Sequence, residues 1–192
     1  MSRYPIEIHG LVIAPEHRVF GASGRDASGR DVSGRDVSGA DLISRTSVNV
    51  IAGSGIEGDR FCRHRPDYNG HVTFFSQEVW DEVRDILGLS EAMGPELTRR
   101  NVIVSGVDLK ALYGVPFEID GIRFLGTIHC APCPAMNRVF GDGATRALRG
   151  RGGLRAQVKT DGTLSVGPAD LVTNASFDPE SASAQPIPPK LP

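Results

Sequence analysis

The stretch FEIDGIRFLGTI, residues 117–128, decides the fold, because apolar residues alternate on both sides of a central Asp120-Gly121 pair. Alternation is the pattern of a half-buried β-strand. The Asp-Gly pair favours the positive backbone angles of a type I′ turn, whose twist matches that of two paired strands. The stretch therefore predicts a β-hairpin.

A second stretch, AQVKTDGTLSVG, residues 156–167, repeats this arrangement around Asp161-Gly162 and predicts a second hairpin. Further apolar segments read as strands at residues 6–14, 46–50, 71–75 and 101–106. Many short strands with turn signals between them indicate a mainly β (α+β) protein. We expect an antiparallel β-barrel with a few small peripheral helices.

One segment, residues 78–87, has helical periodicity instead. Ser76 precedes it as a candidate N-cap, and Gly88 follows it as a candidate C-cap. The predicted apolar face consists of Val79, Val83, Ile86 and Leu87.

Composition divides the chain into one domain, residues 1–174, and a Pro-rich tail, residues 175–192, predicted to be disordered. A five-residue repeat, SGRDASGRDVSGRDVSGADL, lies at residues 23–42. It contains no aromatic residue and is too polar to offset the entropy of ordering it. We predict a flexible low-complexity loop at 21–42 rather than a repeat β-helix, which needs more turns.

Charge and cysteine content narrow the function classes. The 192 residues carry 21 basic and 23 acidic side chains, a formal net charge of −2, which gives no global basis for binding nucleic acid. No apolar run is long enough for a membrane span or a signal peptide, so we expect a cytoplasmic protein. Three cysteines in a reducing compartment favour metal binding or catalysis over a structural disulfide.

Two of the cysteines stand in HCAPCPAMN, residues 129–137, with the spacing Cys-x-x-Cys. Pro134 suits the first position of a helical turn after a strand. A thiol just outside a helix N-terminus holds more thiolate, which makes Cys133 the candidate reactive sulfur. Cys130 is then the candidate for resolving or assisting it.

Three other interpretations of the cysteine pair stay open. Cys130 and Cys133 form half of a zinc site, for which Cys62 and His64 are the candidate second half. They also match a dithiol redox motif, although its position along the chain is unlike that of thioredoxin. Finally, both cysteines can simply pack as small apolar side chains.

A basic segment follows at residues 138–159, where glycines stand among arginines. Glycines let an anion approach backbone N–H groups, and arginine binds phosphate in a bidentate manner. This composition suits a phosphate-bearing cofactor or, alternatively, a solvated basic turn. Two further pairs, Asp59-Arg60 and Arg100-Asn101, are interpreted on residue type alone as structural anchors.

Taken in order, GIEGDRF, HVTFFSQE, TRRNVIVSGVDL, FEIDGIRFLGTIHCAPC and LRGRGGLRAQVKTDGTLSVGPADL resemble the MOSC domain, named for the C-terminal domain of molybdenum cofactor sulfurases. The resemblance spans roughly residues 5–172. It implies a β-barrel fold and a key cysteine, matched here by Cys133. In sulfurase-type members that cysteine is thought to carry persulfide sulfur. In amidoxime-reducing members its equivalent ligates the molybdenum of the pyranopterin cofactor.

The resemblance also implies cofactor-binding positions, which in this chain are Arg100, Asn101, Arg151, Gly152, Gly153, Arg155, Asp59 and Arg60. Many members have an arginine where this chain has Cys130, which suggests a subgroup that carries sulfur or cycles a disulfide. The implied role is a stand-alone sulfur carrier or transferase, or a molybdenum cofactor-dependent reductase of N-hydroxylated compounds. We expect a cysteine desulfurase or a molybdoenzyme as partner, with pyridoxal phosphate on the partner. A non-catalytic, zinc-stabilised binding domain is the alternative.

Overall fold

A computed structural model describes residues 1–15 and 42–179 of the chain. The predicted repeat loop, apart from Leu42, lies outside the described residues, as do residues 180–192 of the predicted tail. In the described start of that tail, Phe177 stacks on the ring of Tyr4 with 4.1 Å between the centroids.

Eleven strands and three α-helices make up the described chain. The strands are β1 (Ser2–Ile13), β2 (Ile43–Arg45), β3 (Ser47–Ile51), β4 (Gly55–Ile56), β5 (Val72–Ser76), β6 (Val102–Ser105), β7 (Pro116–Ile119), β8 (Ile122–His129), β9 (Leu154–Val158), β10 (Gly162–Ser165) and β11 (Gly167–Thr173). The helices are α1 (Gln77–Leu87), α2 (Ala135–Phe140) and α3 (Ala144–Ala147), with a 3-10 turn at Pro95–Thr98.

Seven strands close into a barrel in the order β11-β7-β8-β9-β5-β6-β1. The first and last strands complete it by antiparallel pairing, from Ser2 opposite Thr173 to Ile8 opposite Gly167. Within the barrel only β5 and β6 run parallel. The expectation of a mainly antiparallel β-barrel with small peripheral helices is therefore confirmed.

The first predicted hairpin is confirmed. Strands β7 and β8 pair directly, with Ile119 opposite Ile122. Between them Asp120 has φ 48° and Gly121 has φ 84°, so both turn residues have the positive angles that a type I′ turn needs.

The second predicted hairpin is wrong. Strand β9 pairs with β5 and β8, whereas β10 leaves the barrel and pairs with β3. Asp161 accepts a hydrogen bond from the Ala52 amide at 2.7 Å, which fixes the chain at the start of β10. A Cβ at Gly162 would overlap the Ile122 side chain, so this glycine permits close packing rather than a turn.

Helix α1 has the predicted caps. The Ser76 hydroxyl accepts from the Val79 amide at 3.0 Å, and Gly88 ends the helix in the left-handed conformation. The predicted apolar face is wrong at Ile86, which is 60% exposed, and it omitted Trp80, which is fully buried.

Two apolar cores hold the molecule together. One fills the barrel and centres on Phe74, Phe117 and Phe124, whose rings lie 5.3–5.6 Å apart. The other lies outside the barrel, where the helices cover Phe75 and Ile103. None of the helices in residues 1–15 and 42–179 is long and apolar enough to cross a membrane.

Candidate functional site

Three segments of the chain meet at one end of the barrel. Strand β8 ends at His129 and continues into residues 130–134, which we call the cysteine loop. Strand β9 starts beside it, because Leu154 pairs with His129. The segment that leads into β6 reaches the same place through Arg100, whose side chain bonds to both of the others. The cysteine loop is therefore bordered by two other loops.

Helix α2 anchors the far side of the cysteine loop. Met136 and Phe140 are buried in the outer core, and the Phe140 ring packs 5.1 Å from that of Trp80. The Met136 amide donates to the Cys133 carbonyl at 2.9 Å, so the helix begins directly after the second cysteine. The position of this helical turn agrees with the sequence-based expectation.

The two loop cysteines differ in exposure. Cys130 is buried, with 4% of its surface accessible, whereas Cys133 is exposed. The third cysteine, Cys62, is partly buried, and burial raises the pKa of its thiol. Only Cys133 is thus an exposed thiol able to meet another molecule.

Arg100 fixes the backbone around the cysteines. Its Nε donates to the Gly152 carbonyl at 3.0 Å, and Nη1 donates to the Thr98 carbonyl at 2.9 Å. Its Nη2 lies 3.3 Å from the Ala131 carbonyl oxygen and 3.5 Å from that of Cys130. The guanidinium therefore uses its N–H groups on backbone acceptors from three loops.

Two glycines let these loops approach one another. A Cβ at Gly152 would overlap the Cys130 carbonyl oxygen, and one at Gly153 would overlap the Phe74 carbonyl oxygen. Gly153 also has φ 106°, which favours glycine. The Gly153 carbonyl accepts from the Cys130 amide at 2.8 Å, which ties the buried cysteine to the start of β9.

Two residues beside the cysteines were not predicted as site residues. The Gly152 amide donates to Nε2 of His129 at 3.3 Å. Burial lowers the pKa of His129, and the nearby charges of Arg100 and Arg155 lower it further. The Tyr113 hydroxyl donates to the Gly153 carbonyl at 3.4 Å. His129 directly precedes Cys130, and this adjacency was the only available sequence signal.

Asp59 and Asn101 form a buried pair away from solvent. The Asn101 amide group donates to Asp59 Oδ2 at 3.0 Å, and the Ala14 amide donates to the same oxygen. Asn101 Oδ1 accepts from Thr73, and Asp59 Oδ1 accepts from the Phe61 amide. These hydrogen bonds connect the ends of β1, β5 and β6, so the pair stabilises the fold.

The resemblance also implied Arg60 and Arg151 as cofactor-binding residues. Arg60 donates to the Ala14 carbonyl, and burial lowers its pKa. Arg151 pairs with Glu82 on α1 and donates to the Ala147 carbonyl at 2.9 Å. Both arginines therefore already have partners.

Arg155 has one unsatisfied donor. Its Nε is buried and has no hydrogen-bond acceptor among the described residues. Its charge lies close enough to His129 to lower the pKa of that imidazole, as does that of Arg100. A buried donor without an acceptor is costly, and a bound anion would satisfy it.

The residues carried over for the cofactor thus fit it only in part. Cys133 is exposed and could serve as a thiolate ligand of molybdenum, and the unsatisfied Nε of Arg155 could bind an anionic group. The N–H groups of Arg100 and Arg151 are bonded within the protein, and Asp59 with Asn101 is buried. Within the part of the chain that the structure describes, two of these side chains are available to a cofactor.

The alternative zinc site is not formed. Among residues 1–15 and 42–179, no group of three or more His, Cys, Asp or Glu side chains is placed to hold a metal ion. The site would need Cys62 or His64 beside Cys130 and Cys133. That interpretation is therefore wrong for the described residues.

Comparison with known proteins agrees with the barrel. The family model described as the MOSC domain matches residues 38–169. No curated protein matches the chain.

Solved structures share the fold at low sequence identity. The YUAD protein from Bacillus subtilis superposes with a TM-score of 0.66 and 18% identity, covering 91% of this chain and 99% of that one. YiiM from Escherichia coli gives a TM-score of 0.57 and 16% identity, covering 96% of this chain and 76% of that one. YiiM from Geobacillus stearothermophilus gives 0.55 and 12%, covering 87% and 75%.

Proposed function

This chain belongs to the MOSC domain family, which is associated with molybdenum cofactor sulfurase-like domains, and we propose that it carries sulfur as a persulfide on Cys133. The supporting observation is an exposed thiol on a loop whose backbone is held by Arg100. A carrier thiol must reach both a donor and an acceptor, and Cys133 is the one exposed cysteine of the three.

Loading the carrier needs a thiolate and a donor persulfide. The Cys133 thiolate attacks the outer sulfur of the donor persulfide, so that a new S–S bond forms and the donor thiolate leaves. The donor class that makes such persulfides is a cysteine desulfurase, which would supply its own pyridoxal phosphate. No lysine of this chain is needed for that step.

Two arginines border the cysteine loop. Arg100 and Arg155 both act on His129, which directly precedes the cysteine loop, and burial keeps that imidazole neutral. The guanidinium of Arg100 bonds to the backbone of the loop itself, so its charge stays there.

A second candidate is ligation of molybdenum by Cys133, with Arg155 holding an anionic part of the pyranopterin cofactor. The buried Nε of Arg155, which lacks an acceptor among the described residues, favours this role. Thiolate is also a suitable ligand for a soft metal. The occupied N–H groups of Arg100 and Arg151 favour the carrier role instead.

The first test combines mass spectrometry with metal analysis of protein from molybdenum-replete cells. The carrier role predicts a persulfide on Cys133 after incubation with a cysteine desulfurase and cysteine, absent in Cys133→Ser and present in Cys62→Ser. Stoichiometric molybdenum that is lost in Cys133→Ser would instead support the ligand role. It would then direct the search to reduction of N-hydroxylated compounds. Sulfur loading on Cys62 alone would refute the carrier role, and absence of molybdenum from the same protein would count against the ligand role as well.

A further inference from the structure

We propose that the two loop cysteines work in sequence, with Cys130 displacing the carried sulfur from Cys133 as hydrosulfide and leaving a Cys130–Cys133 disulfide. This inference rests on the persulfide role of Cys133 and adds the step by which the sulfur leaves. It also gives the buried thiol a function distinct from that of the exposed one.

The difference in exposure between the two thiols assigns their roles. A donor protein can reach Cys133, which is exposed, but not Cys130, which is 4% exposed. Two residues, Ala131 and Pro132, separate them, and this spacing brings two thiols of one loop within reach of a disulfide. The nearest electrophile for Cys130 is therefore a persulfide on Cys133.

The backbone holds Cys130 at a fixed position. Its amide donates to the Gly153 carbonyl at 2.8 Å, and its carbonyl faces Nη2 of Arg100 at 3.5 Å. Gly152 packs against that carbonyl so closely that a Cβ would overlap it. Because the buried cysteine is fixed on three sides, the exposed half of the loop is the part that must move to close a disulfide.

Tyr113 lies beside Cys130 and helps to hold the same stretch of backbone. Its hydroxyl and the Cys130 amide donate to the same Gly153 carbonyl, so the hydroxyl lies beside the cysteine. Burial raises the pKa of Tyr113, and the charges of Asp108 and Cys130 raise it further. The phenol therefore stays protonated, and its single O–H is donated to the Gly153 carbonyl.

The step balances in atoms and electrons. The Cys130 thiolate, its proton having left to solvent, attacks the inner sulfur of the persulfide. The bond between Cys130 Sγ and Cys133 Sγ forms, and the bond from Cys133 Sγ to the outer sulfur breaks. The outer sulfur leaves as hydrosulfide and is reduced by two electrons, while the two cysteines are oxidised to a disulfide.

This chemistry defines the class of acceptor. An acceptor that takes sulfur at the sulfide level, such as a metal centre exchanging an oxo for a sulfido ligand, needs the two electrons that the cysteine pair provides. A thiol acceptor, which takes sulfur as a new persulfide, does not need them. Each turnover also requires an external dithiol reductant to reopen the disulfide.

The test follows sulfur through the reduced full-length chain. Wild type, Cys130→Ser and Cys62→Ser are loaded briefly with sodium polysulfide and desalted. Released sulfide is then measured over time, and the cysteine peptides are mapped by mass spectrometry. We expect wild type and Cys62→Ser to release sulfide and to contain a Cys130–Cys133 disulfide. In Cys130→Ser the persulfide should stay on Cys133, with release at least about tenfold slower.

The outcomes separate this step from the carrier role. A persulfide on Cys133 that is released equally fast in wild type and Cys130→Ser would overturn the step and leave the carrier role standing. Failure of Cys133 to take up sulfur in any variant would overturn both. Cys130→Ala serves as a second variant, because a buried hydroxyl could disturb folding, and circular dichroism spectra check that both variants fold.

Discussion

The Nε of Arg100 donates to the Gly152 carbonyl across 3.0 Å, which joins the segment before β6 to the segment before β9. The same guanidinium reaches the carbonyls of Cys130 and Ala131. Arg100, which the family resemblance implied as a cofactor-binding residue, thus forms hydrogen bonds with the backbone of the cysteine loop. Within the described structure its guanidinium therefore holds the cysteine loop in place by binding its backbone.

Replacing Arg100 should loosen the cysteine loop. Arg100→Lys keeps the charge, but its three N–H groups all lie on one nitrogen and cannot span the acceptors that the guanidinium reaches, so the bonds to Gly152 and Ala131 cannot both persist. We expect a loss of about 1–3 kcal/mol in the free energy of unfolding. We also expect faster alkylation of Cys130 in the native protein. Urea unfolding and timed iodoacetamide labelling measure the two effects.

The matched control is Arg149→Lys, an exposed arginine of the same basic segment. It should change stability by less than about 0.5 kcal/mol. Equal labelling of Cys130 in the Arg100 variant and in this control would contradict the positioning role of Arg100.

Adding a methyl group at Gly152 should disrupt the site. In Gly152→Ala the new Cβ would overlap the Cys130 carbonyl oxygen, so one of the two loops must shift. Overpacking of this kind costs about 1–3 kcal/mol. We expect a lower urea midpoint and slower sulfur loading of Cys133. Gly10→Ala is the control, because its nearest neighbour, the Ile103 side chain, would be in ordinary contact at 3.6 Å. Equal effects of the two substitutions would argue against close contact at the site.

The buried pair of Asp59 and Asn101 should contribute strongly to stability. In Asn101→Ala the Asp59 carboxylate loses a donor, and the Thr73 amide and the Val12 carbonyl lose partners. Leaving several buried polar groups unsatisfied should cost at least about 3 kcal/mol, measured by urea unfolding. The exposed Asn49→Ala should cost less than about 0.5 kcal/mol. A small effect at Asn101 would mean that water replaces it, and the structural role would be withdrawn.

Stability should fall in mild acid because of His71. This buried imidazole accepts from the Val158 amide and contacts the Arg65 carbonyl, a pair of bonds that its neutral form makes. Burial is the main cause that lowers its pKa below 6.5, and the charge of Lys159 lowers it further, whereas the hydrogen bond to the Arg65 carbonyl and the charge of Asp67 oppose this shift. The unfolded chain then binds the proton first, so stability is complete above pH 6.5 and decreases as the pH falls.

The measurement is the free energy of unfolding as a function of pH. The slope from one such group reaches at most about 1.4 kcal/mol per pH unit. His71→Gln should be less stable at neutral pH, with a smaller slope below pH 6.5. His129, whose pKa is also lowered, acts in the same direction and accounts for part of the remaining slope. A slope unchanged by His71→Gln would assign the acid sensitivity elsewhere.

Local patterns predicted those parts of the fold that local geometry determines. The Asp120-Gly121 turn and the Ser76 and Gly88 caps each depend on residues a few positions apart, and each was predicted correctly. Asp161-Gly162 is the same dipeptide as the confirmed turn at Asp120-Gly121. Its strand, however, pairs with β3 more than a hundred residues earlier, and no local pattern reports such a partner.

At the candidate site, too, local features could be predicted from the sequence and long-range contacts could not. The Cys-x-x-Cys spacing pointed to the cysteine loop because both thiols lie on one short segment. The bonds of Arg100 go to residues 30, 31 and 52 positions away, so their acceptors could not be predicted from the sequence. Tyr113 reaches the loop only because β7 and β8 fold back beside it. Long-range contacts therefore determine which arginine side chains already form hydrogen bonds within the protein.

The pairing of β1 with β11 has a consequence for how the chain is made. Synthesis produces β1 first of the described strands, and the seam that closes the barrel cannot form before Thr173 has left the ribosome. Until then the edges of β1 and β7 that later meet β11 have unpaired backbone groups, which are templates for pairing with other chains. The nascent chain is therefore most exposed to aggregation just before its last strand appears, which is when protection by chaperones would matter most.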